Sequence, residues 1–293
     1  MPNNMNSNVE LAPLFPILYE EAVRRALLED LGARGGVTSD AIVPLDATAT
    51  ARIIARECGR IAGIEVAGHA FHCLDSGIKY EIHHRDGEDI AAGDTAALIH
   101  GAARPILSAE RTALNFLALL SGIATETRNI VAIIKPYSAR VVCTRKTTPG
   151  LRGLEKYAVR AGGGSNHRFG LDDAVLIKDN HIVVAGGVTE AIQRARRHIG
   201  HMVKIEVEVD TLEQLESALR ERIDAILLDN MPVKMLAEAV RITDKKAITE
   251  ASGGITPENA RDIAATGVDL MSIGWITHSA AALDLSLDLA FNI

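Results

Sequence analysis

The sequence predicts an α/β protein in two parts, an N-terminal α+β domain that is sandwich-like, followed by an open, TIM-like α/β barrel. Three observations lead there. A chain of 293 residues exceeds the length at which a single hydrophobic core usually stops growing. Hydrophobic residues make up 47% of it and aromatic residues only 3%, so the core is built from Ala, Val, Ile and Leu, which suits helices packed on a sheet. From Ala139 onward short apolar strands alternate with helical stretches, and repeated strand-then-helix units imply a parallel sheet.

The elements follow in order. Met1 to Val9 is Asn-rich, without the basic and apolar regions of a secretory signal, and reads as a frayed tail. Leu18 to Leu31 carries apolar residues at helical spacing and stops before Gly32, a C′ glycine. Ala49–Glu57, Tyr80–His84 and Thr95–His100 read as strands between turns such as Asp86-Gly87 and Gly93-Asp94. The α+β domain therefore covers 18–107. Ser108 is placed to cap a linking helix over 108–136, which ends at Lys135-Pro136. The barrel takes 137–280, with strands at Arg140–Thr144, Ala174–Lys178, Val203–Val209, Ala225–Leu228, Ala247–Ala251 and Leu270–Ile273. Its helices start at Thr211, with Gln214 three residues on, at Pro232, and at Thr256-Pro257. A C-terminal helix over 281–293 is expected to pack back on the N-terminal domain. Six strands fall short of an eightfold barrel, and pattern alone leaves an open doubly wound sheet as the alternative. In both, ligands bind at the carboxyl ends of the strands.

Charge narrows the partners. With 31 basic and 38 acidic side chains the net charge is −7, which disfavours a broad grip on nucleic acid or anionic lipid. Between Thr144 and Asp179, however, seven cations face four acids, so any anion site is local. Cys58, Cys73 and Cys143 are widely spaced and odd in number, against a disulfide framework or a Cys-rich zinc site and in keeping with the cytoplasm. Cys143 reads as a small core residue. His83-His84, and His198 with His201, lack metal-ligand spacing and read as surface residues. The greasiest stretch, Ala113 to Ala124, is interrupted by Asn115 and Ser121 and is too short to cross a bilayer.

Nearly every barrel strand ends in a polar or Gly-rich signature. Thr144-Arg145-Lys146-Thr147-Thr148 puts two cations at one strand end, where desolvation favours an anionic ligand, a solvated basic turn being the alternative. Gly162-Gly163-Gly164-Ser165-Asn166-His167-Arg168 combines close backbone approach with donors for a carboxylate or phosphate. Lys178 follows an apolar strand, with Asp179 as its simplest partner. In Ile205-Glu206-Val207-Glu208-Val209 alternation puts both glutamates on one face. Glu208, nearer the strand's end, is the better site candidate, and Glu206 is expected to pair with an internal cation near Lys204 or with Lys178. Asp229 ends the next strand, and carboxylates there suit hydroxyl recognition or Mg²⁺ shared with phosphates. Glu250-Ala251-Ser252-Gly253-Gly254 and Ser272-Ile273-Gly274, ahead of a helix start at Thr256-Pro257, form a candidate phosphate cradle. Trp275 is a core residue or a wall of that cradle.

In this order the motifs resemble those of the quinolinate phosphoribosyltransferase family of NAD biosynthesis. The N-terminal half shares the likeness through Glu29-Asp30-Leu31-Gly32, Gly59 to Glu65, Asp86 to Gly93, and Glu110 to Leu117 running into Leu120 to Thr125. Gly35-Gly36-Val37-Thr38-Ser39 departs from it, since the family usually has a Gly-Asp pair before the Thr. The resemblance implies a Mg²⁺-dependent pentosyltransferase joining quinolinate to phosphoribosyl pyrophosphate. Arg111, Arg145, His167, Arg168 and Lys178 would surround quinolinate, Arg111 being donated across a homodimer, with higher assembly left open. Lys146 and Lys178 would lie near the pyrophosphate, and Thr144 beside them. Glu208 and Asp229 would meet the ribose hydroxyls and the metal, directly or through water or phosphate. Ser252, Gly253, Gly254 and Gly274 would hold the 5′-phosphate, with Lys146, Lys178, Glu208 and Asp229 as the catalytic set. Two rivals remain: another phosphoribosyltransferase on the same scaffold, which would lose the carboxylate-binding arginines, and a non-catalytic ligand sensor, which need not keep Lys146, Glu208 and Asp229 together.

Overall fold

The computed structural model describes residues 11–292, and the tail expected over residues 1–9 lies outside them. The chain forms two compact units, one of Met1–Thr125, Gly153–Gly162 and Ala280–Ile293, the other of Glu126–Arg152 and Gly163–Ser279.

In the first unit α1 (Glu20–Leu31) ends on Gly32, whose φ of 51° is one that glycine adopts without steric cost. Next come α2 (Val37–Ile42), β1 (Thr48–Ala55), β2 (Gly59–Arg60), α3 (Ile64–Leu74), β3 (Lys79–Ile82), β4 (Asp89–Ile90), β5 (Thr95–Ala102) and α4 (Ala103–Ile134), whose residues from Glu126 on belong to the second unit. The linking helix α4 thus starts at Ala103, ahead of Ser108, which lies within it and caps nothing. Pro105 falls in its first turn, where a missing N–H breaks no intrahelical bond. Alpha-helix α4 is 32 residues and apolar enough to span a bilayer by length and composition, contrary to the shorter stretch expected, but half of its most apolar window is buried inside the protein. Ala113, Leu117, Leu120 and Ser121 are fully enclosed, as in the core helix of a globular fold. Leu120 packs where a Cβ on Gly63 would stand, 2.6 Å from its Cδ1, and Gly63 has φ 90°; only glycine fits that turn.

The second unit contains β6 (Arg140–Val142), β7 (Val175–Ile177), α6 (Asp179–Ala185), α7 (Val188–His198), β8 (Ile205–Val209), α8 (Leu212–Leu219), β9 (Ala225–Asp229), α9 (Val233–Thr243), β10 (Ile248–Ser252), α10 (Ala260–Ala265), β11 (Leu270–Ser272) and α11 (Trp275–His278). The helix after β6, α5 (Arg152–Ala161), belongs almost wholly to the first unit, where the Tyr157 hydroxyl donates to Asp86 Oδ2 at 2.7 Å. The six strands are parallel in the order β6-β11-β10-β9-β8-β7. No strand order reverses, so there is no switch point of a doubly wound sheet; the first strand instead joins beside the last. A lone bridge, Val142 to Ser165, continues from β6. This is an open barrel with β6 and β7 as its edges. Thr211 caps α8 by accepting from the Gln214 amide at 3.2 Å, and Gln214 Oε1 accepts from Asp210 N at 2.8 Å.

Within the segment 281–293, expected as a helix, residues 285–292 form a strand instead. In β12 (Leu285–Asn292) residues pair antiparallel with β1 from Thr48↔Asn292 to Ala55↔Leu285, completing the first unit's sheet in the order β12-β1-β5-β3. Leu285, Leu287 and Leu289 alternate with polar Ser286 and Asp288, a period of two that outweighs helix propensity when a sheet edge is available. The helix expected at Thr256-Pro257 begins only at Ala260, after a turn in which Asn259 Oδ1 accepts from Thr256 N.

Candidate active site

Side chains two apart on a strand share a face, so Glu206 and Glu208, Leu227 and Asp229, and Glu250 and Ser252 are aligned in pairs. The member nearer the carboxyl end stands at the rim of the barrel; the other lies inside.

At the rim the sequence-predicted residues come together. Lys178 Nζ is 2.8 Å from Glu208 Oε2, so its partner is Glu208 and neither Asp179 nor Glu206. After β6, Thr144 Oγ1 accepts from Lys146 N at 3.0 Å, and the Lys146 carbonyl accepts from Thr277 Oγ1 at 2.7 Å. A Cβ on Gly274 would stand 2.9 Å from Lys146 Cδ and 3.6 Å from His278 Nε2, so the glycine lets this lysine cross the end of β11. Asp229 Oδ2 accepts from Asn230 Nδ2 at 2.8 Å. Asn230 itself adopts φ 51°, and Gly253, at φ 94°, leaves room for the Asn230 side chain that a Cβ would strike. Ser252 ends β10 beside it, paired with Asp229 across the ladder. Trp275 Nε1 donates to the Ile255 carbonyl at 2.9 Å, which makes it a support of the 253–255 turn.

Arg145 and Arg168 lie half-buried on the next two segments. The Arg145 Nε is enclosed and has no hydrogen-bond partner among the described residues, a donor left for something the chain does not supply. Arg168 donates from a guanidinium nitrogen to the Ala174 carbonyl at 2.9 Å. Burial, and then the neighbouring Arg145 cation, lowers its pKa.

These comparisons decide the family. Residues 36–121 match the family described as quinolinate phosphoribosyl transferase, N-terminal domain, and residues 123–288 its C-terminal domain. A nicotinate-nucleotide pyrophosphorylase (carboxylating) of Mycobacterium leprae is 44% identical over 274 residues, covering 92% of this chain and 96% of that protein. The crystal structure of NadC from Streptococcus pyogenes superposes with a TM-score of 0.92 at 37% identity, covering 96% of this chain and 99% of that one. The nicotinate-nucleotide pyrophosphorylase from Francisella tularensis gives a TM-score of 0.91 at 38% identity, covering 97% and 100%. The chain belongs to the quinolinate phosphoribosyltransferase family.

Beneath the rim of this family member lies a group that sequence reading did not assemble. His167 Nε2 is 2.9 Å from Glu206 Oε2 and 3.5 Å from Glu250 Oε1, all three side chains being largely or wholly buried. Glu206 therefore pairs with His167 rather than with a lysine. Burial first, and then the Glu206 carboxylate, pushes Glu250 up to about 7. Neither His278 nor Asn230 was singled out; the signals were a histidine one helical turn after Gly274 and an asparagine placed between two site strands. Arg111 is exposed on α4 in the first unit.

Proposed function

We propose that this chain is a quinolinate phosphoribosyltransferase, a pentosyltransferase forming nicotinate mononucleotide, pyrophosphate and CO₂ from quinolinate and phosphoribosyl pyrophosphate in de novo NAD biosynthesis. The observation that carries the reading is the buried Arg145 Nε, without a hydrogen-bond partner among the described residues, beside the half-buried Arg168, since an enclosed guanidinium nitrogen next to a second guanidinium calls for an anionic partner with fixed geometry. A dicarboxylate supplies it. Lys146 and Lys178 add charge for a pyrophosphate, and Ser252, Gly253, Gly254 and Gly274, with His278 close by, suit a 5′-phosphate. The sensor reading is disfavoured because Lys146, Glu208 and Asp229 are all kept at one rim.

In the reaction the pyridine nitrogen forms a bond to the ribose anomeric carbon as the bond to the pyrophosphate oxygen breaks. Glu208 and Asp229 stabilise the oxocarbenium-like charge between them, and Arg145 and Arg168 orient the ring. The carboxylate next to the now-positive nitrogen then leaves as CO₂, its electron pair passing to the ring carbon, which takes a proton. The fit of Mg²⁺ follows from the donor set: Glu208 is already engaged by Lys178 and Asp229 by Asn230, so neither forms a protein cage, and both suit an ion held mainly by substrate phosphates. When bound, Mg²⁺ neutralises the departing pyrophosphate. The setting is the cytoplasm.

Release of CO₂ from carboxyl-labelled quinolinate, dependent on phosphoribosyl pyrophosphate, tests the assignment. Comparable efficiency with nicotinate overturns it, because arginines set for two carboxylates are then left partly unpaired. The exposed Arg111 belongs, in this reading, to the partner's site in a two-fold homodimer. Arg111→Ala and Lys178→Ala are then each nearly inactive, and subunit exchange between equal amounts restores about a quarter of wild-type activity. No recovery after proven exchange removes Arg111 from the partner's site.

A further inference from the structure

The group of His167, Glu206 and Glu250 has its own charge logic. His167 Nδ1 accepts the Arg168 amide at 2.7 Å, which assigns the ring proton to Nε2 and makes that nitrogen the donor to Glu206. The imidazole is thus the neutral tautomer, and both ring nitrogens are committed to the protein. Glu250 is 1% exposed, and its Oε1 has no hydrogen-bond partner among the described residues. Its other interaction is with the Ser272 hydroxyl. An ionised Glu250 would set a second carboxylate beside Glu206 in the barrel interior against a neutral histidine, an arrangement that a buried pair escapes by holding a proton.

We propose that Glu250 is a positioning residue for the transfer reaction: it stands as a neutral carboxylic acid beneath the His167–Glu206 hydrogen bond and holds the floor of the dicarboxylate site at a single negative charge. This rests on the reading that the site binds quinolinate. The neighbouring groups act in both directions, burial and the Glu206 carboxylate raising the Glu250 pKa and outweighing His167 and the Ser272 hydroxyl, which lower it. Glu206 acts on Glu250 from β8, His167 from the segment after α5, and Ser272 from β11. Farther toward the rim stand Arg145 after β6, Arg168 beside His167, Glu208 on β8 with its ion-paired Lys178, and Asp229 on β9. The Arg168 amide is bonded to His167, so the hydrogen-bonded floor also sets where the Arg168 guanidinium can reach. Loss of the Glu250 proton adds a negative charge under the substrate's carboxylates and weakens their binding. The sign is fixed: a carboxyl raised to about 7 is neutral below that pH and becomes ionised above it, so substrate binding and the stability due to the proton both fall as pH rises.

The same three donor atoms lie within 4.8 Å of one another, a spacing open to a metal ion. The hydrogen bonds favour the proton, because an ion would have to displace it from Nε2.

The test uses the intact enzyme. In wild type, the KM for quinolinate is expected to rise about tenfold between pH 6.5 and pH 8.5, with a smaller change in kcat. Glu250→Gln, which fixes the neutral state, is expected to flatten that rise to less than about twofold. A rise of equal size in both proteins overturns the proposal. Infrared spectra of the ligand-free enzyme report the proton independently of any substrate. A protonated-carboxyl C=O band is expected at pH 6.5 and absent at pH 8.5, and Ser272→Ala should shift its frequency by removing the hydroxyl partner. That band decides the matter if Glu250→Gln fails to fold, and it survives even if quinolinate is not the substrate. Its absence in wild type, or one tightly bound divalent metal per chain by elemental analysis, overturns the proposal.

Discussion

On the strands of the first unit the fully enclosed side chains are apolar, among them Ala49, Ala51, Ile53 and Ile99, and the buried charges of that unit, Glu155 and Lys156, lie on α5; on the strands of the second unit Glu206, Thr249, Glu250 and Ser272 are buried. The first sheet is held by apolar contact, where one shape is nearly as good as another of equal volume. The second is held in part by hydrogen bonds whose loss leaves a buried polar group unpaired. A sheet packed by apolar side chains alone can therefore stay dry, whereas one that carries acids on its strands accepts the desolvation they bring.

Three variants sharpen the contrast. Lys178→Ala removes a rim cation that is half exposed and is expected to lower kcat/KM about a thousandfold while changing stability by about 1 kcal/mol or less. Steady-state kinetics beside a urea titration separates the two, and a large loss of stability at normal activity would place Lys178 with the scaffold. Leu120→Ala in the apolar interior should do the reverse, costing about 3 kcal/mol of unfolding free energy at unchanged activity per folded molecule. The smallest effect belongs to Thr211→Ala, which removes the cap of α8 and is expected to cost about 1 kcal/mol, read as a lowered thermal midpoint with no kinetic change.

The rim was legible in the sequence because each strand announces its end. An apolar run of period two or a continuous one stops at Thr144, Lys178, Glu208, Asp229 or Ser252, and the parallel sheet then brings those ends to one side. The floor was not legible. Glu206 and Glu250 sit on β8 and β10, separated in the sheet by β9, and they meet only through His167 on a connecting segment; no spacing along the chain encodes that meeting. Helix α3 does carry a helical pattern, with Ile64, Val66, Ala67, Ala70 and Phe71 buried on one face and Glu65, His69 and His72 recurring at helical spacing on the other. The misjudged C-terminal segment shows the converse: its alternation was present but had no neighbour in sequence to suggest a sheet, since its partner β1 lies at the other end of the chain.

That pairing bears on how the protein is made. A ribosome delivers β1, β5 and β3 early, but β12 emerges about 180 residues after β5 ends, a delay on the order of ten seconds or more at common elongation rates. Throughout it, the side of β1 that β12 will cover offers unpaired amides and carbonyls, the kind of edge onto which another nascent chain can add. The second unit, whose strands all lie within that interval, can meanwhile pair β7 through β11 from neighbours close in sequence, with β6 waiting for β11. The half of the protein begun first is therefore the half finished last, and its vulnerable period is set by the length of the barrel inserted between its strands.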